Sequence, residues 1–473
     1  MKTVLQYQNI QDLSRKIIKE ATSQGASEAE VLAYARDDTV VRFSQNNISQ
    51  SARLHDEGVV IRVFISPSKR AVVSVKHLGD QQAIDQGIKR AIYLAQNSGE
   101  NKNAKSFASG QKIPRSGSNF KKGIETITDE IASRGAKTAI NTSLRHNKLI
   151  KRVAGTITAR VSEVTIQNSN GLDAYHKYSG ASFVTVSLAR KENSTGVGFA
   201  SQASNNYSDL DFIAVSKEAA GDAVRSVKPK TIPLGKYDVI FYPNAVFDWL
   251  GSFMQLGFST QRMKGYVDVG KKCASENLTI VDDPTDPSTL MAIPFDAEGT
   301  PTKKLPLIEN GMAVSQCYDN NSATKAGTQS TGHSLFPNDL TYESKFFPAW
   351  IYFPANQIVS PGKTSFEKMI QGSKKKTILV KRFMYGGLPM CVSETEVMQG
   401  YTMGTWLIED GEIVHPLPSL RLSNSLSGLA NNIAEVGDKK SVKRLGCMNT
   451  PCMKVQDVNF SVATSMSVPQ GVL

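Results

Sequence analysis

The side chains best suited to hold a metal or attack a substrate are six histidines (His55, His77, His146, His176, His333, His415) and five cysteines (Cys273, Cys317, Cys391, Cys447, Cys452). A zinc hydrolase needs two imidazoles on one helical face and a carboxylate beside them to activate water. No two of these histidines lie within a helical turn or two of each other, and none is followed directly by Glu. They read as separate surface or core residues. Cys447 and Cys452 form a Cys-x4-Cys pair with no nearby Cys or His to complete a tetrahedron. The spacing is not the Cys-x-x-Cys of a redox pair, so two inert thiols near a strand are expected. No Gly-x-Ser-x-Gly elbow is present. Two near-matches to a phosphate loop, Gly265 to Lys272 and Gln357 to Thr364, each miss one defining residue and read as chance. Asp282, Asp283, Asp286, Asp296 and Glu298 cluster in a Pro-rich stretch. Their oxygens suit a hard cation, but Asp side chains next to Pro more often bond nearby backbone N–H groups and shape turns. A site assembled from distant residues would draw on His333, Cys447, Cys452, Asp282 and Asp283.

The elements that would position these groups follow from periodicity. Ile10, Leu13, Ile17, Ile18 and Ala21 recur at helical spacing, then strand runs cover 31–36, 39–43, 58–65 and 70–75, with a turn at Pro67-Ser68. A second amphipathic helix carries Ile84, Ile88, Ala91, Ile92 and Ala95 on one face. This is a helix–meander–helix unit whose helices cover one face of an antiparallel sheet. Residues 98–123 are polar and read as a linker or exposed loop. A helix over 124–144, strands over 151–167, 181–189 and 195–200, and a helix over 210–227 follow. A turn is expected at Asn170-Gly171. Beyond Pro229 helix becomes scarce after one segment at 246–258. Asn310-Gly311 and Asp410-Gly411 mark two hairpins that resemble each other. The expectation is an α+β chain with two domains: residues 1–228 with antiparallel sheets covered by helices, and residues 229–473 as a mainly antiparallel β domain.

Composition bounds the function. With 40% hydrophobic and 21% charged residues, the chain is neither disordered nor a coiled coil. Lys and Arg number 55 against 43 Asp and Glu, a net +12. The basic runs Lys121-Lys122, Lys271-Lys272 and Lys374-Lys375-Lys376 lack interleaved aromatics, so they read as solvated surface rather than a nucleic-acid groove. Five sparse cysteines do not make a secreted disulfide framework. No apolar run approaches the ~18 residues of a membrane span, and the N-terminus lacks a signal peptide's apolar stretch. A cytoplasmic protein without membrane contact is expected.

The acidic stretch also carries a resemblance. Leu278 to Pro287, Pro294 to Thr302, Leu307-Ile308-Glu309-Asn310-Gly311 and Ser330-Thr331-Gly332-His333 together resemble the C-terminal domain of the TldD/PmbA (TldD/TldE) family. Glu57 to Val63 and Thr405 to Ile413 are similar to further family segments. The resemblance implies one of two homologous subunits of a zinc peptidase. The TldD type carries His-Glu-x-x-x-His on a helix, with a Cys near the C-terminus as third ligand. The corresponding helix here, Asn244 to Phe253, has neither His nor Glu. Cys447 and Cys452 lie in the third-ligand segment, but one thiolate without its imidazoles cannot hold catalytic zinc. The implied role is the metal-free PmbA/TldE type, with no cofactor of its own and zinc in a TldD-like partner. Unfolded or precursor peptides are the implied substrates, and a homodimer is open to the isolated chain. The competing readings are a self-sufficient hydrolase whose site the sequence hides and a nucleic-acid-binding module.

Overall fold

The computed structural model describes residues 7–101, 106–110, 113, 119–259, 267–334, 353–384 and 396–464. Cys391 and the first two residues of the Gly265–Lys272 segment, Gly265 and Tyr266, therefore lie outside the described residues.

Two helix–meander–helix units open the fold. The first is α1 (Tyr7–Ser23), β1 (Glu28–Ser44), β2 (Asn47–Ser66), β3 (Lys69–Lys76) and α2 (Gln81–Gln96). The second is α3 (Asp129–His146), β4 (Ile150–Asn168), β5 (Asp173–Lys191), β6 (Ser194–Ser204) and α4 (Phe212–Arg225). Their strands make one antiparallel sheet in the order β3-β2-β1-β4-β5-β6. The units join along β1 and β4, from Glu30 opposite Asn168 to Phe43 opposite Gly155. The helices start where Asp80, Thr128 and Asp211 accept hydrogen bonds from N–H groups of the first turn. Their apolar stripes pack on one face of the sheet: Ile84 and Ile88 share a core with Val59 and Ile61, and Ala132 and Ala136 with Ile157 and Phe183. Helix α4 lies very close to β6. A Cβ at Gly198 would come 1.9 Å from the Ala219 carbonyl oxygen, which is why glycine stands there.

Two expectations change. The runs 31–36 and 39–43 belong to one 17-residue strand. Asp37 and Asp38 do not interrupt it, because His55 Nδ1 is 2.7 Å from Asp37 and Arg160 grips Asp38 at 2.6 and 2.9 Å. The polar stretch 98–123 is also no free linker where it is described. Ser106 Oγ and the Phe107 N–H donate to Glu28 at 2.6 and 2.9 Å, and Asn119 is buried with its amide on the Ala292 carbonyl.

The remaining elements are β7 (Gly235–Phe241), α5 (Pro243–Phe258), β8 (Ile280–Asp282), β9 (Leu305–Glu309), β10 (Met312–Ala313), α6 (Asn320–Lys325), β11 (Gln357–Val359), α7 (Phe366–Gln371) and β12 (Thr377–Met384). They end with β13 (Val397–Glu409), β14 (Glu412–Pro416), β15 (Ser419–Ser425), α8 (Leu426–Asn431), β16 (Ile433–Val436), β17 (Lys443–Leu445), β18 (Met448–Thr450) and β19 (Met453–Thr464). Strands β12, β7, β19, β15 and β13 pair in succession, and β13 pairs back with β12, so five strands close a ring. A second sheet runs β10-β9-β8-β11-β18-β17. Pairing is mainly antiparallel, with parallel contacts only at β7–β12 and β11–β18 among the described strands. Helix α5 is apolar on nearly every side and shares one core with the ring (Phe241, Val380, Leu422, Val455) and the second sheet (Ile280, Leu307). Both expected hairpins form, with positive φ at Asn310, Gly311, Asp410 and Gly411, the geometry that matches strand twist. They lie in different sheets, so their likeness is local turn chemistry. The α+β expectation holds. No helix of the described residues is long and apolar enough to cross a membrane.

Candidate functional site

The three segments that stood out in the acidic region converge. Asp282 ends β8 and is buried; its Oδ1 accepts from the Asn356 N–H at 2.6 Å and its Oδ2 lies 3.2 Å from His333 Nε2. The other ring nitrogen, His333 Nδ1, is 2.9 Å from the Thr331 carbonyl oxygen. Both nitrogens thus face acceptors, which suits the imidazolium form. Burial works to lower the His333 pKa, but Cys317 and Asp282 hold it well above the ordinary 6.5. The chain reaches this position only through Gly332, at φ +76°, where a Cβ would come 2.7 Å from the Pro301 carbonyl oxygen. Next to it, the Ser334 N–H donates to Asp296 Oδ2 at 3.0 Å, while Asp296 Oδ1 accepts from Glu298 and Thr300 N–H at 2.9 Å each. Burial pushes Asp296 up to about 6. Burial and the neighbouring Asp296 push Glu298 up to about 8.

Cys317, His333 and Asp282 have the composition of a thiol–imidazole–carboxylate triad. Cys317 was not singled out from the sequence: it stands 16 residues before His333 and 35 after Asp282, and no spacing rule links them. Its environment opposes nucleophilic work. The thiol is fully buried, its pKa is raised by burial, and His333 is only 5% exposed. The cluster is a sealed polar knot that ties β8 to the 330–334 segment. Asp283 does plain turn work: its Oδ1 accepts from the Thr285 N–H and hydroxyl at 3.0 and 2.6 Å. Asp286 does the same for the Ser288 N–H at 2.7 Å.

The place where the resemblance puts zinc is α5 and the β17–β18 hairpin. They do lie together, with Phe247 of α5 against Gly446 at the hairpin turn. The donors do not fit the metal. The helix offers Asn244, whose amide meets Ser201 Oγ at 3.2 Å, and Asp248, whose carboxylate holds the Phe383 N–H at 2.9 Å. Cys447 is half-buried at the turn. Cys452 is on the far side of β18, fully buried, 3.8 Å from the Met369 sulfur, with its thiol pushed up to about 11 by burial. Among the described residues no group of three or more His, Cys, Asp or Glu is arranged to hold a metal ion.

The knot is also where the two halves of the chain meet. The free face of the N-terminal sheet carries the segment 290–298: Arg62 Nη1 donates to the Ala297 carbonyl at 2.5 Å and pairs with buried Glu30 at 2.8 Å. Asn205 reaches the Leu290 carbonyl at 3.2 Å. On another side, Lys381 of the ring pairs with Glu218 and Asp222 of α4 at 2.7 and 3.2 Å.

Comparison with known proteins adds the following. Residues 124–227 match the model of the PmbA/TldA metallopeptidase central domain, and residues 234–462 that of its C-terminal domain. The chain is 23% identical over 334 residues to metalloprotease PmbA of Escherichia coli O157:H7, covering 69% of each. It is 27% identical over 269 residues to an uncharacterized protein of Methanocaldococcus jannaschii, covering 55% of this chain and 60% of that one. A metalloprotease of Methanothermobacter thermautotrophicus is 26% identical over 268 residues, 55% of this chain and 53% of that one. The chain thus spans little more than half the length of these last two relatives. Among solved structures, TldE from Thermococcus kodakarensis superposes with a TM-score of 0.83 at 21% identity, over 95% of this chain and 100% of that one.

Proposed function

The chain belongs to the PmbA/TldD metallopeptidase family, and on that premise we propose that it is the metal-free, TldE-type subunit of a zinc peptidase. The observation that carries the reading is the donor set at α5: Asn244, Phe247 and Asp248 stand on the helix that faces the Cys447 turn, and no imidazole does. A lone thiol and a carboxylate already holding a backbone N–H do not make a tetrahedral zinc site. Residues 1–228 and 229–473 serve as its two domains. The partner is a TldD-like subunit bearing His-Glu-x-x-x-His, and together they act in the cytoplasm on unfolded or precursor peptides. This chain supplies chamber wall and peptide-binding surface, where an extended peptide can pair with a sheet edge.

The test is a peptidase assay on an unfolded peptide, with this chain alone, the partner alone and the two mixed. Chelator-sensitive cleavage is expected only in the mixture, with zinc bound in proportion to the partner. Chelator-sensitive cleavage by this chain alone would overturn the assignment.

A further inference from the structure

We propose that the cleft between strands β2 and β3 and the start of α6 binds the carboxylate of a small organic ligand, with Arg70 as counter-charge and Phe107 against its apolar body. The cavity is about 40 Å³ and opens to solvent on one side. That is room for a few waters, or for one carboxylate head group with the rest of the molecule outside. Cross-strand pairing sets its wall. Arg62 lies opposite Val72 and Phe64 opposite Arg70, so alternation turns Arg62, Phe64 and Arg70 to the same face of the sheet. Glu298 and Asn320 close the other side.

The charges choose the ligand. Arg62 is already committed to Glu30 and to the Ala297 carbonyl. Arg70 lines the same cavity, and its side chain has no ion pair or hydrogen bond among the described residues. One uncommitted guanidinium suits a monoanion, and its planar fork matches a carboxylate. A phosphate dianion would bring a second charge toward Glu30. Glu298 is pushed up to about 8 by burial and by Asp296, so near neutral pH it keeps its proton and can donate rather than repel. Half-buried Phe107 packs edge to face on buried Phe64, with centroids 4.8 Å apart, and is held there as an apolar contact for the ligand's side chain. Asn321 Oδ1 is buried beside the cavity with no donor. An amide N–H next to the bound carboxylate would supply one, which favours the C-terminus of a peptide over a simple organic acid.

The experiment is calorimetric titration of the full chain with N-acetyl-glycyl-phenylalanine, its C-terminal amide, phenylacetate and inorganic phosphate. The acid is expected to bind at least about tenfold more tightly than its amide and than phosphate. Phenylacetate weaker than the peptide acid identifies a peptide terminus; phenylacetate equal to it identifies a small carboxylate. Arg70→Gln is expected to lose at least about tenfold in affinity, and Arg70→Lys less, with unchanged unfolding midpoints. Equal binding of acid and amide, an Arg70→Gln affinity equal to the parent's, or no saturable binding of either acid would overturn the proposal. No partner subunit or peptidase activity enters these measurements, so their outcome is separate from that of the subunit assignment.

Discussion

Buried His333 has both ring nitrogens facing acceptors, Asp282 and the Thr331 carbonyl, and its pKa is held well above the ordinary value. Replacing it with alanine leaves the Asp282 carboxylate buried without that partner. His333→Ala is therefore expected to cost about 3–5 kcal/mol in urea unfolding, and a loss under 1 kcal/mol would show that the pair is not held closed. Glu298 gives a pH prediction of opposite chemistry. Its folded pKa of about 8 lies above its ordinary 4.5. Its favourable contribution is thus complete below pH 4.5 and is lost as pH rises toward 8. Unfolding free energies measured from pH 5 to 9 should fall less steeply for Glu298→Gln than for the parent chain. The turn-forming roles of Asp283 and Asp286 were legible in sequence, because an Asx turn needs only local neighbours. The link from Asp282 to His333 and Cys317 was not, because burial and a meeting of three distant segments create it.

At the scale of elements, the close approach of α4 to β6 invites a direct test. Gly198→Ala puts a methyl 1.9 Å from a backbone oxygen. The helix has to move off the sheet, and an expected cost of about 1–3 kcal/mol should appear as a lower melting temperature. Most helices were readable from their apolar stripes, and both Asn-Gly and Asp-Gly hairpins from their turn residues. In the sequence strand β1 looks like two pieces, because Asp37 and Asp38 stand between its apolar runs. Cross-strand partners on β2 and β4 make those carboxylates acceptable, and partners on other strands carry no local signal. Helix α5 was expected three residues short: Pro243 fits the first helical turn, where its missing N–H costs nothing.

Across the whole molecule, the two halves are held by charge as well as by packing. Lys381 is mostly buried between Glu218 and Asp222. Lys381→Ala should leave Glu218 with only Lys443 and Asp222 with only Arg225, at an expected cost of about 2 kcal/mol in chemical unfolding. The Glu218 pKa is lowered by Lys381 and Lys443, which outweigh burial. Its contribution is present above pH 4.5 and is lost as pH falls through the folded value, so the Lys381→Ala deficit should shrink in acid. The α+β character of the first half and the β-rich character of the second are legible in the loss of helical periodicity beyond Pro229. The closed ring could not, since its pairings join strands far apart in the chain. That ring has a consequence for how the protein is made. Phe241 on β7 pairs with Met453 on β19, so at ribosomal speeds of ~5–20 residues per second the first strand waits roughly 10–40 s for its last neighbour to be synthesised. During that interval β7 and the greasy helix behind it have no finished shelter. A nascent chain arrested before β19 should therefore be held by chaperones or degraded, while the N-terminal sheet, whose strands are complete by Ser204, can already be folded.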